Sequence, residues 1–119
     1  MASMGPDGGA VSTAAEQITF LRAFMSGALF PVESLGEMTH EFHTVFFPIS
    51  AATGIQRFAA PRIMTLGRRL PTLLGHGGAS GTVLFHAPAA DLWVAGSVNQ
   101  LQNRPQVYQL MMRLLMKVA

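Results

Sequence analysis

A glycine-rich segment is the part of this sequence best suited to chemistry. It reads GHGGASGT over residues 75–82 and comes directly before a β-prone run. Glycines beside a strand let another group approach the backbone closely, and backbone amides at such an edge can bind a carboxylate or an oxyanion. A bulge or a tight turn without a ligand would use the same glycines, so the spacing alone leaves both interpretations open. The segment has the spacing of neither a P-loop, a dinucleotide fingerprint nor a nucleophile elbow.

Two histidines and two glutamates form a second candidate group. His40 and His43 lie close in sequence to Glu37 and Glu41. The string HEFH is one residue short of the spacing that places two histidines on one face of a helix to bind zinc. The ordinary content of a surface helix explains these residues, so we expect no metal and no cofactor.

Three further side chains are given mainly structural interpretations. Ser80 is a weak candidate nucleophile because no lysine or tyrosine lies near it in the sequence. His86 and Trp93 should face each other across a turn, where they are expected to pack as a cross-strand pair.

Helices are predicted at both ends of the chain. Ser12 or Thr13 can cap a helical apolar pattern, with Glu16 completing a capping box after Thr13, and Pro31 should stop that helix. A short helix is predicted from Val32 to His43, with a second cap signal at residues 34–37, ended by the Phe-Phe-Pro string at residues 46–48. The last helix carries an apolar stripe that begins at residue 107.

The strands are predicted between these helices. Residues 55–58, the glycine-rich segment, residues 82–86 and residues 92–98 are the candidates, and the last two are joined by a short loop with Pro88 and Asp91. Such a loop between two β-prone runs favours an antiparallel hairpin. The fold class predicted is α+β, with an antiparallel sheet of three to four strands flanked by N- and C-terminal helices.

Composition limits the classes of partner. The 119 residues fit a single domain, and half of them are hydrophobic while 12% are charged. With a net charge of +2 and no basic stripe among aromatics, nucleic-acid binding is not expected. The start of the chain lacks a signal-peptide pattern, and the long uncharged run 70–90 contains prolines and glycines. We therefore expect a soluble, cytoplasmic protein that does not bind membranes.

Four segments together resemble a known superfamily. Residues 7–21 are similar to the Gly-Gly-x-x-Ser-Thr-Ala segment of the serine β-lactamase and penicillin-binding-protein-like hydrolases, which include class C β-lactamases, D-alanyl-D-alanine peptidases and related esterases. Residues 75–81 look like their Lys/His-Thr/Ser-Gly strand. Residues 85–100 resemble the hairpin that follows it, and residues 54–58 the strand before it. The resemblance covers residues 7 to 118 and implies the C-terminal portion of that fold.

The resemblance implies a set of substrate-binding residues. Ala79 would supply an oxyanion amide, and His76 would be the polar head of the motif. Gly77 stands where the family has Thr or Ser, which favours the esterase-like branch over β-lactam recognition. The whole implied set is His76, Gly77, Gly78, Ala79 and Asn99.

The residues that would attack the substrate are missing from the matched positions. The family nucleophile lies in Ser-x-x-Lys, but the single lysine here is Lys117, and Leu114 stands three residues before it. The second motif is Tyr-x-Asn or Tyr-x-Ser, yet the single tyrosine, Tyr108, is followed two residues later by Leu110. Both motifs are expected in portions that would precede residue 1, so we predict no catalytic residue in this chain.

Two kinds of function follow as expectations. The chain is either a hydrolase fragment, inactive alone, that needs a complementary N-terminal fragment, or a non-catalytic binding or oligomerisation module. An unpaired strand edge promotes pairing between copies. We therefore predict a homo-oligomer formed through the edge of residues 92–98 or through exchanged helices.

Overall fold

The computed structural model describes residues 11–46, 48–78, 81–98 and 104–118. Within these ranges, three α-helices and six strands follow one another. They are α1 (Ala14–Ser26), α2 (Glu33–Met38), β1 (His43–Phe46), β2 (Ile49–Ala51), β3 (Gln56–Phe58), β4 (Leu73–Gly78), β5 (Thr82–Ala87), β6 (Leu92–Ser97) and α3 (Arg104–Val118).

Helix α1 begins directly after Thr13, one of the two predicted caps, but it ends at Ser26, before the predicted stop at Pro31. Thr13 is the N-cap, and its hydroxyl oxygen accepts a hydrogen bond of 3.2 Å from the amide of Glu16. Gly27 closes the helix with φ of 87°, in the left-handed region that glycine adopts without a steric penalty. The predicted cap of this helix is thus confirmed.

The six strands form a single antiparallel sheet in which the spatial order equals the order along the chain. The α+β class with helices before and after the sheet is confirmed. The predicted number of three to four strands is wrong, because β1 and β2 form an additional hairpin at one side of the sheet.

The extra hairpin lies partly where a longer helix was predicted. Helix α2 has Val32 as its N-cap, with no side-chain cap, and it ends at Met38 instead of continuing to His43. Ser34 therefore lies inside the helix and does not cap it. Strands of three or four residues contain too few positions to show the alternation that identifies a strand.

The main core lies between α3 and one face of the sheet. Strand residues alternate between the two faces, so every second side chain of β4 and β5 points toward α3. The side chains that form this core come from the sheet and from α3, and each has at most 3% of its surface exposed. The cluster comprises Ile49, Phe58, Leu73, Val83, Phe85, Ala87, Val107, Met111 and Leu115.

The opposite face carries α1, which packs against β5 and β6. The predicted hairpin of β5 and β6 is confirmed, with a 3-10 turn at Pro88–Ala90 between the strands. His86 and Trp93 are directly opposite each other, and their rings stack with centroids 3.6 Å apart. The expected cross-strand packing of these two residues is confirmed as well.

None of the helices within the described ranges has the length and apolar character needed to cross a lipid bilayer.

Candidate functional site

The end of β4 extends beyond its neighbour β3. The ladder between these strands stops at the pair Gln56 and Gly75, whereas β4 remains paired with β5 as far as Gly78 and Thr82. Within the described ranges, residues 76–78 are therefore paired with a strand on one side only. Gly54, with φ of 71°, turns the chain away just before β3 begins. This arrangement creates a short open edge on the glycine-rich strand.

Glycine is required at three positions of β4 by close neighbours. A β-carbon on Gly75 would overlap the backbone of β5 at Leu84, and one on Gly77 would overlap the hydroxyl group of Tyr108. A β-carbon on Gly78 would meet the hydroxyl of Thr82. The glycines thus permit close packing around the strand, as their number suggested.

Tyr108 explains why position 77 has no side chain. Its ring stacks on Phe58 with an interplanar angle of 7°, and its hydroxyl reaches the space that a side chain at position 77 would fill. A threonine or serine at position 77 would require this ring to move.

The side chain of Gln56 caps one backbone amide of this open edge. The amide of Gly77 donates a hydrogen bond of 3.1 Å to the side-chain oxygen Oε1 of Gln56. Alternate amides of a strand point to the same side, so this bond shows that the Gly77 amide points away from β5. Gln56 was not identified from the sequence, where no signal marks a long-range contact of this kind.

A cleft of about 360 Å³ lies between α1 and the open end of the β4–β5 hairpin. Its walls combine strand residues with side chains from the start of α1. They are Ser12, Gln17, Phe20, His76, Gly78, Thr82, Val83 and Leu84. Among these described residues, His76 is the single ionisable one.

A smaller apolar cleft of about 80 Å³ adjoins the first and shares Phe20, His76 and Leu84 with it. Phe24 and Ile55 lie in its walls. Phe20 remains 55% exposed although it belongs to the apolar pattern of α1. The large cleft therefore combines the polar side chains of Ser12, Gln17 and Thr82 with apolar ones, whereas the small cleft is almost entirely apolar.

Among the described residues of the large cleft, no hydroxyl group is hydrogen-bonded to His76. The hydroxyl of Ser12 donates its proton to the carbonyl oxygen of Thr13 at 3.1 Å and not to His76. Lys117 lines a separate groove on α3 together with Arg68. A serine needs a base that accepts its proton before it can attack a carbonyl group.

A second cluster on the same face surrounds His86. Arg22 of α1 lies over the ring of Trp93, with its guanidinium carbon 5.3 Å from the ring centre. Burial lowers the pKa of His86 below its ordinary value, while the charge of Asp91 acts in the opposite direction. The Nδ1 atom of His86 is buried and has no hydrogen-bond partner in the described ranges.

The structure brings three of the five predicted substrate-binding residues together. His76, Gly77 and Gly78 are consecutive on β4, and His76 lines both clefts. Ala79 and Asn99 lie outside the described residues, as does Ser80. The residues that the sequence interpretation missed are Gln17, Phe20, Gln56 and Tyr108.

The residues considered as a metal site are divided among different elements. Glu37 lies in α2, while His40 and Glu41 follow it in a connection and His43 begins β1. The Oε1 atom of Glu41 and the Nε2 atom of His43 are 3.8 Å apart, and both side chains are exposed. Among the residues with described positions, no group of three or more histidines and carboxylates could hold a metal ion.

Comparison of the chain with protein-family models gives no match, and comparison with curated proteins gives none either.

Proposed function

We propose that this chain is the C-terminal portion of a serine β-lactamase-like or esterase-like hydrolase, with β4 as its substrate-binding strand, and that it is inactive alone. The observation that carries the proposal is the open edge at residues 76–78, which lies beside a cleft large enough for part of a small substrate. The ordered resemblance of four sequence segments supports the same function.

In the complete enzyme, another polypeptide segment would supply the nucleophilic serine. Its oxygen would form a bond to the carbonyl carbon of an ester or amide, and the alcohol or amine would leave with a proton. Water would then release the acid and regenerate the serine. In this proposal the Ala79 amide stabilises the oxyanion, and His76 polarises the substrate or its leaving group.

The surroundings of the strand favour neutral esters over substrates that carry a carboxylate. Glycine at position 77 lacks the hydroxyl-bearing side chain that the resembled hydrolases have there. The described residues that line the large cleft include neither arginine nor lysine. A substrate carboxylate would therefore find no cationic partner among them.

A reconstitution experiment tests this proposal. Alone, the chain should form no adduct with a fluorophosphonate or penicillin probe and should not hydrolyse p-nitrophenyl butyrate or nitrocefin above background. Mixed with an N-terminal fragment that carries Ser-x-x-Lys and Tyr-x-Asn, it should hydrolyse the butyrate ester. The His76→Ala variant should reduce this turnover, while His40→Ala, which changes an exposed histidine, should not.

Two results would contradict the hydrolase proposal. One is a stable covalent adduct with the chain alone, since that would reveal a nucleophile we have not assigned. The other is a reconstituted activity that does not respond to His76→Ala.

The second candidate function is a non-catalytic oligomerisation module, and the position of β6 favours it. This strand is the last in the sheet, and it contains neither proline nor a charged residue. The amide of Val98 donates a hydrogen bond to the carbonyl oxygen of Gly81, which precedes β5. Since alternate amides of a strand point to the same side, the amide of Ala95 points away from β5. Such an edge can pair with the same strand of a second copy.

Light scattering at micromolar concentration tests this candidate. A dimer or a larger oligomer is expected, and Ala95→Pro should shift it toward the monomer because proline removes an outward-pointing donor. Ala95→Ser keeps that amide and serves as the control. A monomer for the unmodified chain would exclude the oligomerisation function.

A further inference from the structure

The side chain of Gln56 occupies a place that a strand would otherwise take. Gln56 is the first residue of β3, and its backbone is opposite Gly75. The residue that would face Gly77 in a continued ladder is Gly54, which instead lies in a turn. The primary amide of Gln56 therefore provides the carbonyl oxygen that the missing strand cannot provide.

A side-chain amide has the same hydrogen-bonding groups as a peptide bond, but it is held less firmly. Its carbonyl oxygen accepts a hydrogen bond as a backbone carbonyl does. Unlike a backbone carbonyl in a ladder, it can leave by rotation of side-chain torsions, without any change in the sheet. The bond between Gly77 and Gln56 is only partly buried, so water can reach the amides after they separate.

We propose that Gln56 is a displaceable cap that competes with the carbonyl group of an extended, uncharged amide ligand for the backbone amide of Gly77. The ligand adds to the open edge of β4 as a short strand, and its side groups lie in the cleft beside His76. This inference rests on the proposed function, because it treats the same edge as the ligand site and adds the control of access to it.

Competition has a definite consequence for affinity. A ligand that binds only the uncapped state has an apparent dissociation constant increased by the inverse of that state's population. Removal of the cap should therefore tighten binding by about three- to tenfold, the range that corresponds to one typical net hydrogen bond. A carboxylate at position 56 would cap the amide more strongly, since hydrogen bonds to charged acceptors are stronger than neutral ones.

The test uses N-acetyl-alanyl-alanine methylamide as the probe and the NMR signal of the Gly77 amide as the readout. The probe should shift this signal in the unmodified chain. Gln56→Ala should lower the apparent dissociation constant, and Gln56→Glu should raise it several-fold. Gln109→Ala, which changes an exposed glutamine on α3, should leave it unchanged.

The opposite effects of the two variants separate competition from a structural role. If Gln56 only supported the fold, alanine and glutamate would both weaken binding or leave it unchanged, and the inference would be wrong. Failure of the probe to shift the Gly77 signal in the unmodified chain and in Gln56→Ala would also overturn it. Should Gln56→Ala not fold, Gln56→Asn replaces it, because its shorter side chain reaches less far toward the amide.

The measurement is independent of hydrolysis. A reconstituted enzyme that fails to turn over esters would contradict the proposed function, while peptide binding and its response to Gln56 could still be measured. Conversely, ester turnover without any response of the Gly77 amide would contradict the cap alone.

Discussion

The two faces of the sheet are covered by helices in different ways. On the face toward α3, the side chains of Phe85, Met111 and Leu115 have at most 1% of their surface exposed. On the face toward α1, Phe20 is 55% exposed, and two clefts separate the helix from β4. The first face has a continuous apolar core, while the second combines partial packing with polar groups.

This difference assigns different physical roles to the two faces. Close packing of apolar side chains supplies most of the stability of a small domain. A cleft with exposed aromatic and imidazole groups contributes less to stability but leaves space for a ligand. We infer that the α3 face holds the sheet together and that the α1 face, with the open edge of β4, is where the proposed ligand would bind.

The largest expected effect comes from comparing alanine substitutions at Phe85 and Leu84, two adjacent residues whose side chains lie on opposite faces of the sheet. Phe85→Ala should lower the free energy of unfolding by about 3–5 kcal/mol, since it leaves a cavity in the α3 core. Leu84→Ala, on the α1 face, should cost about 1 kcal/mol because Leu84 is only half-buried. Urea denaturation measures both, and equal losses would contradict the contrast between the faces.

An intermediate effect is expected when alanine replaces one of two strand glycines at which an added β-carbon would point toward α3. Gly77→Ala should destabilise the fold by about 1–3 kcal/mol, because the added methyl group overlaps the hydroxyl of Tyr108. Gly96→Ala is the matched control, since a β-carbon there has no neighbour within 4 Å. It should be neutral or stabilise by about 0.5 kcal/mol.

A double-mutant cycle with Tyr108→Phe tests whether the tyrosine hydroxyl causes the expected destabilisation by Gly77→Ala. It removes the hydroxyl that a β-carbon on Gly77 would overlap, so Gly77→Ala should cost less in that background than in the unmodified chain. Thermal unfolding of the four proteins completes the cycle. Additive effects would show that Tyr108 does not explain the glycine at position 77.

The smallest expected effect is a dependence of stability on pH at the α1 face. The pKa of His86 is lowered in the folded state, mainly by burial, so the folded chain binds fewer protons than the unfolded chain. The stability associated with neutral His86 should therefore be present above its ordinary pKa of 6.5 and be lost as the pH falls through the lower folded value.

Urea midpoints measured between pH 8 and pH 5 check this sign. His86→Phe retains an aromatic ring beside Trp93 but cannot be protonated, so its stability should depend less on pH. A loss of stability in the unmodified chain as pH rises from 6.5 would contradict the expected sign.

The sequence was informative where local signals agreed. The cap at Thr13 and the hairpin that pairs His86 with Trp93 were both predicted, because each depends on residues close together in the chain. Hydrogen bonds within one helical turn and pairing across a short loop require no knowledge of the remaining fold.

The β1–β2 hairpin and the cap on Gly77 were not predicted. The hairpin consists of strands only four and three residues long, and its pairing with the larger sheet decides their conformation. The contact from Gln56 to Gly77 spans 21 positions of sequence, and an ordinary glutamine carries no sign of its partner.

By itself, the sequence determined the α+β class, the glycine-rich strand and the apolar stripe of α3, because local periodicity and turn chemistry specify such features. Only the tertiary structure decided that β4 extends beyond β3, that Gln56 caps its edge and that Tyr108 fills the space at Gly77. These contacts join residues far apart in the chain, so they arise only when the sheet and its helices have packed together.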